Sequence, residues 1–492
     1  MPNDQTLQPC HNAGMKPRWI ESPLISATWL VAACAVLIWI PVEAAFTRYC
    51  VNNYDLGIYG QALRQLSFAN PNPWLSVREI NLFNDHLDPV LFLLLPFKHI
   101  NLLGAHPGRI ILRFEMIVAL ATAGIFFWMA RARAISFAMA TFLAFFILFN
   151  RAGLGALTYP AHPGTWSILP LGLACWFLWQ ERWRAAIVAF FFCLLCKEEY
   201  PVVGIAAASA LFLTGKRRPA AWFFACSTAW GILAFFIRPM ILGSSGQYTG
   251  SVENAEGLAY LADPEKLMAV ALWTLSWMLP LVPLWWAGFR DNGFRRAALI
   301  KAMPILAIVA SLLAIRVAGG WWFSHRSVAP VTALAFASAL LLPVKRAPRW
   351  LWPVASFLLV ATSWQALRPS LRYWTGKDIA RHCPADAARL TSLDQATDKL
   401  LAERDGKALV QGNLIPRLVD RENIHHLGAT KEDPASFRWL LVEKNGLGQH
   451  WPGTAGSVSE TVRQWRESPD VRVVIDDQNA LLLERRRQGP AQ

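Results

Sequence analysis

Residues 182–218 read RWRAAIVAFFFCLLCKEEYPVVGIAAASALFLTGKRR, and the way this stretch divides decides the fold. Two apolar runs, 184–197 and 200–215, are separated by Lys197-Glu198-Glu199-Tyr200 and bounded by Arg182 and Arg184 before them and Lys216, Arg217 and Arg218 after them. As helices rising about 1.5 Å per residue, runs of this kind cross most of a hydrocarbon layer about 30 Å thick. Cationic gaps mark the cytoplasmic side of a membrane. The Lys-Glu-Glu-Tyr gap between two such markers therefore falls on the opposite face.

Working outward, the same alternation holds along the chain. A polar segment, 1–22, carries Lys16 and Arg18 ahead of a first apolar run from Pro23 to Phe46, which is too long for a cleaved leader and lacks a convincing cleavage site. It is expected to stay as a first helix with its N-terminus inside. Further spans are expected at about 108–130, 135–150, 165–180, 184–197, 200–215, 219–241, 267–287, 297–315, 325–344 and 350–367, about eleven in all. The run from Pro89 to Leu103, half a span long and holding Pro96, Lys98 and His99, reads as re-entrant or interfacial. The inner gaps then carry Arg131 and Arg133, Arg182 and Arg184, Lys216 to Arg218, Arg290 with Arg295 and Arg296, and Lys345 with Arg346 and Arg349. Composition agrees: 54% of the 492 residues are hydrophobic, only 16% are charged and 24 are Trp, far from the soluble average. The net charge of +14 is thus explained by topology. No basic stretch is interleaved with aromatics as a nucleic-acid groove requires, so nucleic acid is not an expected partner.

From about residue 368 the chain turns polar, with short β-like runs at Ala408–Gln411, Trp439–Glu443, Val471–Ile475 and Ala480–Glu484. The fold class is an all-α polytopic membrane domain, 23–367, with a long first outer loop, 47–107, followed by an extracytoplasmic α/β domain, 368–492. The inner (plasma) membrane is its expected place. Of eight cysteines, Cys34, Cys175, Cys193, Cys196 and Cys226 fall in apolar runs and Cys10 in the N-terminal tail; Cys50 and Cys383 alone meet the outer side, and no disulfide framework is expected. No CxxC, Walker loop, HExxH or GxSxG occurs, which leaves ATP-driven transport, zincin and α/β-hydrolase chemistry without a motif.

The ionisable residues at the outer ends of the spans need a reason to be there, because a charge at the edge of hydrocarbon must pair, line water or serve a ligand. The first outer loop holds Tyr54, Asp55 and Gln61, then Asp85, His86 and Asp88; later outer turns hold His162, then Lys197, Glu198 and Glu199, then His325 and Arg326. Asp55, just past the first helix between a Tyr and a Gly two residues on, suits a general base beside a cleft, and equally an N-cap for the helix that follows. Asp85, His86 and Asp88 have donor types for a divalent metal, though their spacing is loose. His162 fits a substrate contact or a turn cap; Lys197 with Glu198 and Glu199 fits an anion site or a structural ion pair.

These residues carry a resemblance. The run Tyr54-Asp55-Leu56-Gly57-Ile58-Tyr59 with Gln61, the Asp85-His86 pair with Pro89, His162-Pro163, Lys197-Glu198-Glu199, and Leu414, Pro416, Leu418 and Arg421 in the tail resemble the bacterial membrane proteins grouped as domain of unknown function 2079. That family is similar in architecture to the C-type glycosyltransferases, which take a sugar from a polyprenyl-phosphate donor and use an acid in a long first outer loop. The resemblance implies that Asp55 holds the place of that acid. This chain departs where the family often shows Asp-Phe-His-Pro-Glu, having Pro160-Ala161-His162-Pro163-Gly164 instead, so only His162 carries over there.

Independently of any family, a lipid-phosphate head group asks for surface cations, here Lys197, Arg326 and Arg113 with His86 and His325 as donors, and an acceptor hydroxyl asks for a carboxylate base. The competing classes are a transporter or flippase for a lipid-linked or anionic substrate, and a non-enzymatic membrane protein with an outer binding domain. Charges clustered at span ends, with no internal repeat, favour the enzyme over the transporter.

Overall fold

The computed structural model describes residues 23–51, 54–100, 103–159, 161–242, 263–292, 296–318, 327–342, 348, 350–375, 386–444 and 455–486. His325, Arg326, Cys383 and the cationic gap at 345–349, apart from Pro348, lie outside them, as does Pro160. The described helices make a multi-pass membrane protein. Five are long and apolar enough to cross a bilayer: α1 (Leu24–Thr47), α3 (Pro107–Arg131), α9 (Arg217–Leu242), α10 (Leu267–Arg290) and α11, whose apolar part is Arg296–Arg316. The numbering leaves α2 for Tyr54–Gln65 in the first loop. Shorter apolar helices are α6 (Ile168–Trp179), α7 (Trp183–Cys196), α8 (Tyr200–Leu213) and α12 (Val328–Leu341), and α13 (Leu351–Trp374) leads to the tail.

The span expected at 135–150 ends at Phe149 and is followed at once by a second helix. Helices α4 (Phe137–Phe149) and α5 (Arg151–Thr158) follow one another through a 50° bend. Asn150 makes the joint. Its amide donates to Phe146 O (2.6 Å) and Ile147 O (3.1 Å) at the end of α4, while its Oδ1 accepts from Ala152 N (2.8 Å) and Gly153 N (3.0 Å) at the start of α5. A Cβ on Gly153 would sit 2.0 Å from Ile147 O, so only glycine lets the second helix fold back this closely. Arg151, at the start of α5, is accommodated 4.0 Å from the Trp273 ring. Proline shapes two other helices. A π-turn, Ala35–Trp39, precedes Pro41 in α1, and another, Leu233–Ile237, precedes Pro239 in α9, where the missing N–H breaks the regular ladder.

Contacts sort the gaps into two ends. At one, Lys216 pairs with Glu181 (3.0 Å) and Lys301 lies over Trp179. At the other, the first loop meets the turn between α7 and α8 and the tail.

The tail is an α/β unit whose five-stranded sheet has the order β4-β3-β5-β7-β6, from β3 (Ala408–Val410), β4 (Ile424–His426), β5 (Trp439–Glu443), β6 (Val471–Asp476) and β7 (Ala480–Arg485); β1 and β2 are a small hairpin in the first loop, Trp74–Leu75 with Ile80–Asn81. β3 runs parallel to β4 and β5, and β7 antiparallel to β5 and β6. Four strands match the sequence expectation; β4, three residues long, was not expected. Both faces are covered. Ala408, Val410, Leu441 and Leu482 pack with helix α14 (Ala387–Ala402) into a core continuous with the first loop, whereas Leu409, Leu440, Leu481 and Leu483 pack with Trp465 of α15 (Ala455–Glu467).

Helix α2 seals the join. A Cβ on Gly57 would lie 2.6 Å from Ile415 Cγ2, and one on Gly60 3.0 Å from Val419 Cγ1, so the Gly pair lets α2 press against the tail segment 415–419. Glu443 holds the same seam, accepting from Arg389 Nε and Asn413 Nδ2 (2.5 Å each), while Arg389 also donates to Arg48 O (2.9 Å) at the end of α1. Cys50, one of the two cysteines expected on the outer side, is disulfide-bonded.

Candidate functional site

Asp55 lies in the first turn of α2, where a carboxylate also complements the helix dipole. Its Oδ2 is 3.5 Å from His162 Nε2. His162 stands in a turn between α5 and a short helix, Pro163–Trp166, and its ring stacks on Tyr159 at 5.3 Å. That turn has a left-handed residue, Ala161 (φ 76°), and the buried carboxylate of Glu115, on α3, accepts its N–H at 2.8 Å. Glu115 thus fixes the presentation of His162. Asp55 is half-buried at 29% exposure and His162 more deeply at 12%.

Next to it lies a buried ionic cluster. The site of a Cβ on Gly164 is 3.6 Å from Lys197 Cδ, which sets the lysine stem against the His162 turn. Lys197 Nζ is 3.3 Å from His86 Nδ1, and Glu198 Oε1 is 2.9 Å from the same nitrogen. One nitrogen serves one of them at a time, and the ionised Glu198 is the stronger partner for a protonated Nδ1. Asp88, wholly buried, accepts from Tyr59 OH (2.7 Å) through Oδ2. Among the described residues Asp88 Oδ1 and Glu198 Oε2 have no partner. Burial lifts Asp88 to about 6 against the pull of Lys197 and His86. Burial also pushes Glu198 upward, but Lys197 and His86 hold it well below the usual carboxylate range. For His86, burial and Lys197 press downward, and Glu198 and Asp85 outweigh them, so its value rises.

Asp85 is turned to Arg78 (3.3 Å). Tyr54 donates to Val77 O (2.9 Å) and meets His426 of the tail edge-on at 4.7 Å; burial raises its phenol to about 12. Gln61 is buried at the seam with the tail. Its Nε2 donates to Ser76 Oγ (2.8 Å) and Glu422 O (3.0 Å), and its Oε1 accepts from Val77 N (3.1 Å). Glu199 pairs with Arg316 of α11 (Arg296–Ala318). Arg113 is engaged by Glu43 (2.6 Å) and Leu103 O (3.0 Å).

The structure therefore brings Asp55, His162, Lys197, His86 and Glu198 together, with Asp85, Asp88 and Tyr54 on the same loop. Gln61 stands apart in the loop–tail seam. The metal candidates of the sequence do not converge: Asp85 turns to Arg78, His86 to Glu198 and Asp88 to Tyr59. Among the described residues a different trio does, Glu79, His425 and Glu432, whose ligand atoms lie within 4.8 Å of one another. Sequence reasoning missed Glu115, Arg238 and Arg316, all ionisable residues inside or at the ends of apolar runs; their very presence there is the available signal.

No family model and no curated protein matches the chain, so the family resemblance rests on the motif residues alone. Among solved structures, the Archaeoglobus fulgidus oligosaccharyltransferase tethered to an acceptor peptide containing the NVT sequon superposes with a TM-score of 0.49 at 9% identity, over 87% of this chain and 69% of that one. The arabinofuranosyltransferase AftD from Mycobacteria superposes with a TM-score of 0.46 at 15% identity, over 93% of this chain and 41% of that one. At such values neither likeness bears on the chemistry.

Proposed function

We propose that this protein is an inner-membrane glycosyltransferase of the C-type architecture, with about eleven spans, its N-terminus cytoplasmic and its tail outside, that moves a sugar from a polyprenyl-phosphate donor to an acceptor. One observation carries it: Asp55, on a loop helix wedged against the tail, stands 3.5 Å from His162 beside the buried Lys197–His86–Glu198 cluster. Asp55 is the base that takes the acceptor hydroxyl proton as the new glycosidic bond forms, and His162 steadies its charge. The sugar–phosphate bond breaks through an oxocarbenium-like state, and the phosphate leaves with the bonding electron pair. Lys197 supplies positive charge on that side. The disulfide at Cys50 supports an oxidising compartment for the loop and tail. Between α1, α4 and α13 runs an apolar groove of about 560 Å³, lined by Trp29, Phe145, Phe149 and Trp352, which suits an isoprenoid chain. A divalent ion is assigned no step, because Asp85, His86 and Asp88 point to separate partners.

The test has two parts. Mass spectrometry of lipid retained in mild detergent should find a polyprenyl-phosphate species. Asp55→Asn should fold, keep that lipid and lose transfer by about 10²–10⁴-fold, the usual worth of a general base. An N-cap role would let Asn substitute freely, and transfer at the wild-type rate would remove Asp55 from the mechanism.

A further inference from the structure

Arg238 is a buried arginine that none of the described residues neutralises. It lies at the tail-side end of α9, directly after the π-turn Leu233–Ile237, and is only 6% exposed. Among the described residues its Nε and Nη1 have no hydrogen-bond partner. A guanidinium stays charged at any pH a protein meets, so protonation change cannot relieve its burial. An uncompensated buried charge is among the most unfavourable groups a fold can hold, and in an apolar setting it is expected to serve a ligand.

A second guanidinium stands at the same end of the bundle. Helix α8 packs against both α9 and α11. Gly231 of α9 lies against Pro201 in the first turn of α8, its Cβ position 3.4 Å from the proline Cβ, and Arg238 follows seven residues on, about 10 Å further along the helix. Arg316, 3% exposed near the end of α11, pairs with Glu199, which immediately precedes α8; its Nε has no partner among the described residues. Arg316 therefore stands at the start of α8, and Arg238 lies about 10 Å further out at the same end of the bundle. Glu199 balances one of the two charges, leaving one positive charge uncompensated.

We propose that Arg238 binds a phosphate group at the tail-side end of the bundle, with Arg316 adding positive potential from further in. Planar N–H donors match phosphate oxygens better than a lysine point charge would. The chain Arg316–Glu199–Glu198–His86 ties this site to the cluster beside Asp55. The proposal rests on the transferase reading for its natural ligand, the phosphate of a prenyl phosphate, but the anion site itself is carried by the arginines.

The test uses the full chain, delipidated in mild detergent, with a short prenyl monophosphate and inorganic phosphate as separate probes. Wild type should bind the prenyl phosphate, and Arg238→Met should weaken it about 10–100-fold, the span of a charge-assisted hydrogen bond or two. Tighter binding of the prenyl probe than of inorganic phosphate names a lipid head group as the ligand; equal binding names the free anion. Because Arg238→Met removes an uncompensated charge and keeps an apolar stem, the ligand-free variant should melt higher than wild type. Unchanged phosphate binding, or a ligand-free variant that melts lower, overturns the site. A protein that binds the phosphate through Arg238 yet transfers no sugar leaves this site standing and removes the transferase. Transfer that survives Arg238→Met undiminished does the reverse.

Discussion

His86 Nδ1 lies 2.9 Å from Glu198 Oε1, a contact that joins residues 112 positions apart and fastens the first loop to the turn between α7 and α8. It sets two opposed titrations side by side with Asp88. Glu198 is held ionised by its cationic neighbours, whereas Asp88, with one oxygen unpartnered among the described residues, is pushed toward its neutral form.

Stability should therefore fall as pH rises through the Asp88 range. In the unfolded chain Asp88 titrates near 4, and in the fold near 6. The fold favours its protonated form, so its contribution is complete below about pH 4 and is lost as pH rises through about 6. His86, also raised, acts in the same direction: its contribution is present below its unfolded value and lost above its folded one. Glu198 acts oppositely, contributing above its unfolded value and losing that contribution as pH falls. Thermal midpoints in detergent should decline from pH 5 to pH 7.5. Asp88→Asn, which keeps an acceptor for Tyr59 without the charge, should flatten that decline; parallel curves for the two proteins would exclude Asp88 as its source.

The seam between loop and tail should depend on Gln61 beyond its size. Gln61→Leu leaves Val77 N without the acceptor that now satisfies it and removes one of two donors to Glu422 O, which keeps Ser76 Oγ at 2.7 Å. A buried group left unpaired costs about 1–3 kcal/mol, so docking should weaken by about that much while the helices stay intact. Hydrogen exchange should rise at β4 and the first-loop hairpin and remain unchanged in α3. Selective loss of transfer, with exchange unaltered, would instead make Gln61 a substrate contact.

Much of this was legible because hydrophobic runs and strand patterns are local. The five residues of β5, Trp439–Glu443, and the limits of α7 and α8 lie within a residue or two of where apolar periodicity sets them. The continuation of the chain into α5 was not legible, because the tryptophan that covers Arg151 comes from a distant helix. β4 escapes notice because three residues, Ile-His-His, show no alternation to detect. The outer-turn motifs were visible singly, but that Asp55 meets His162 is a consequence of packing, and Glu115, which supports that meeting, lies inside an apolar helix with no motif around it.

The trio Glu79, His425 and Glu432 should behave as a hydrogen-bonded clamp. Glu79, left-handed at φ 57°, turns its carboxylate from the first-loop hairpin into the tail. Oε1 accepts from Thr430 Oγ1 and from His425 Nδ1 (3.1 Å), and Oε2 accepts from Lys431 N (3.1 Å); Glu432 is neutralised by Lys407 at 2.6 Å. Burial would raise Glu79, but Thr430, Lys431 and His425 lower it, so its contribution is present above the ordinary carboxylate range and lost as pH falls. With every carboxylate already matched by a donor, chelator should leave the thermal midpoint of the full chain unchanged. Glu79→Ala should loosen the tail at neutral pH, seen as faster proteolysis after the helical domain, and the difference from wild type should narrow as pH drops toward 4. A midpoint that falls by several degrees in chelator and returns with zinc or manganese would show instead that the spacing of these three side chains holds a metal.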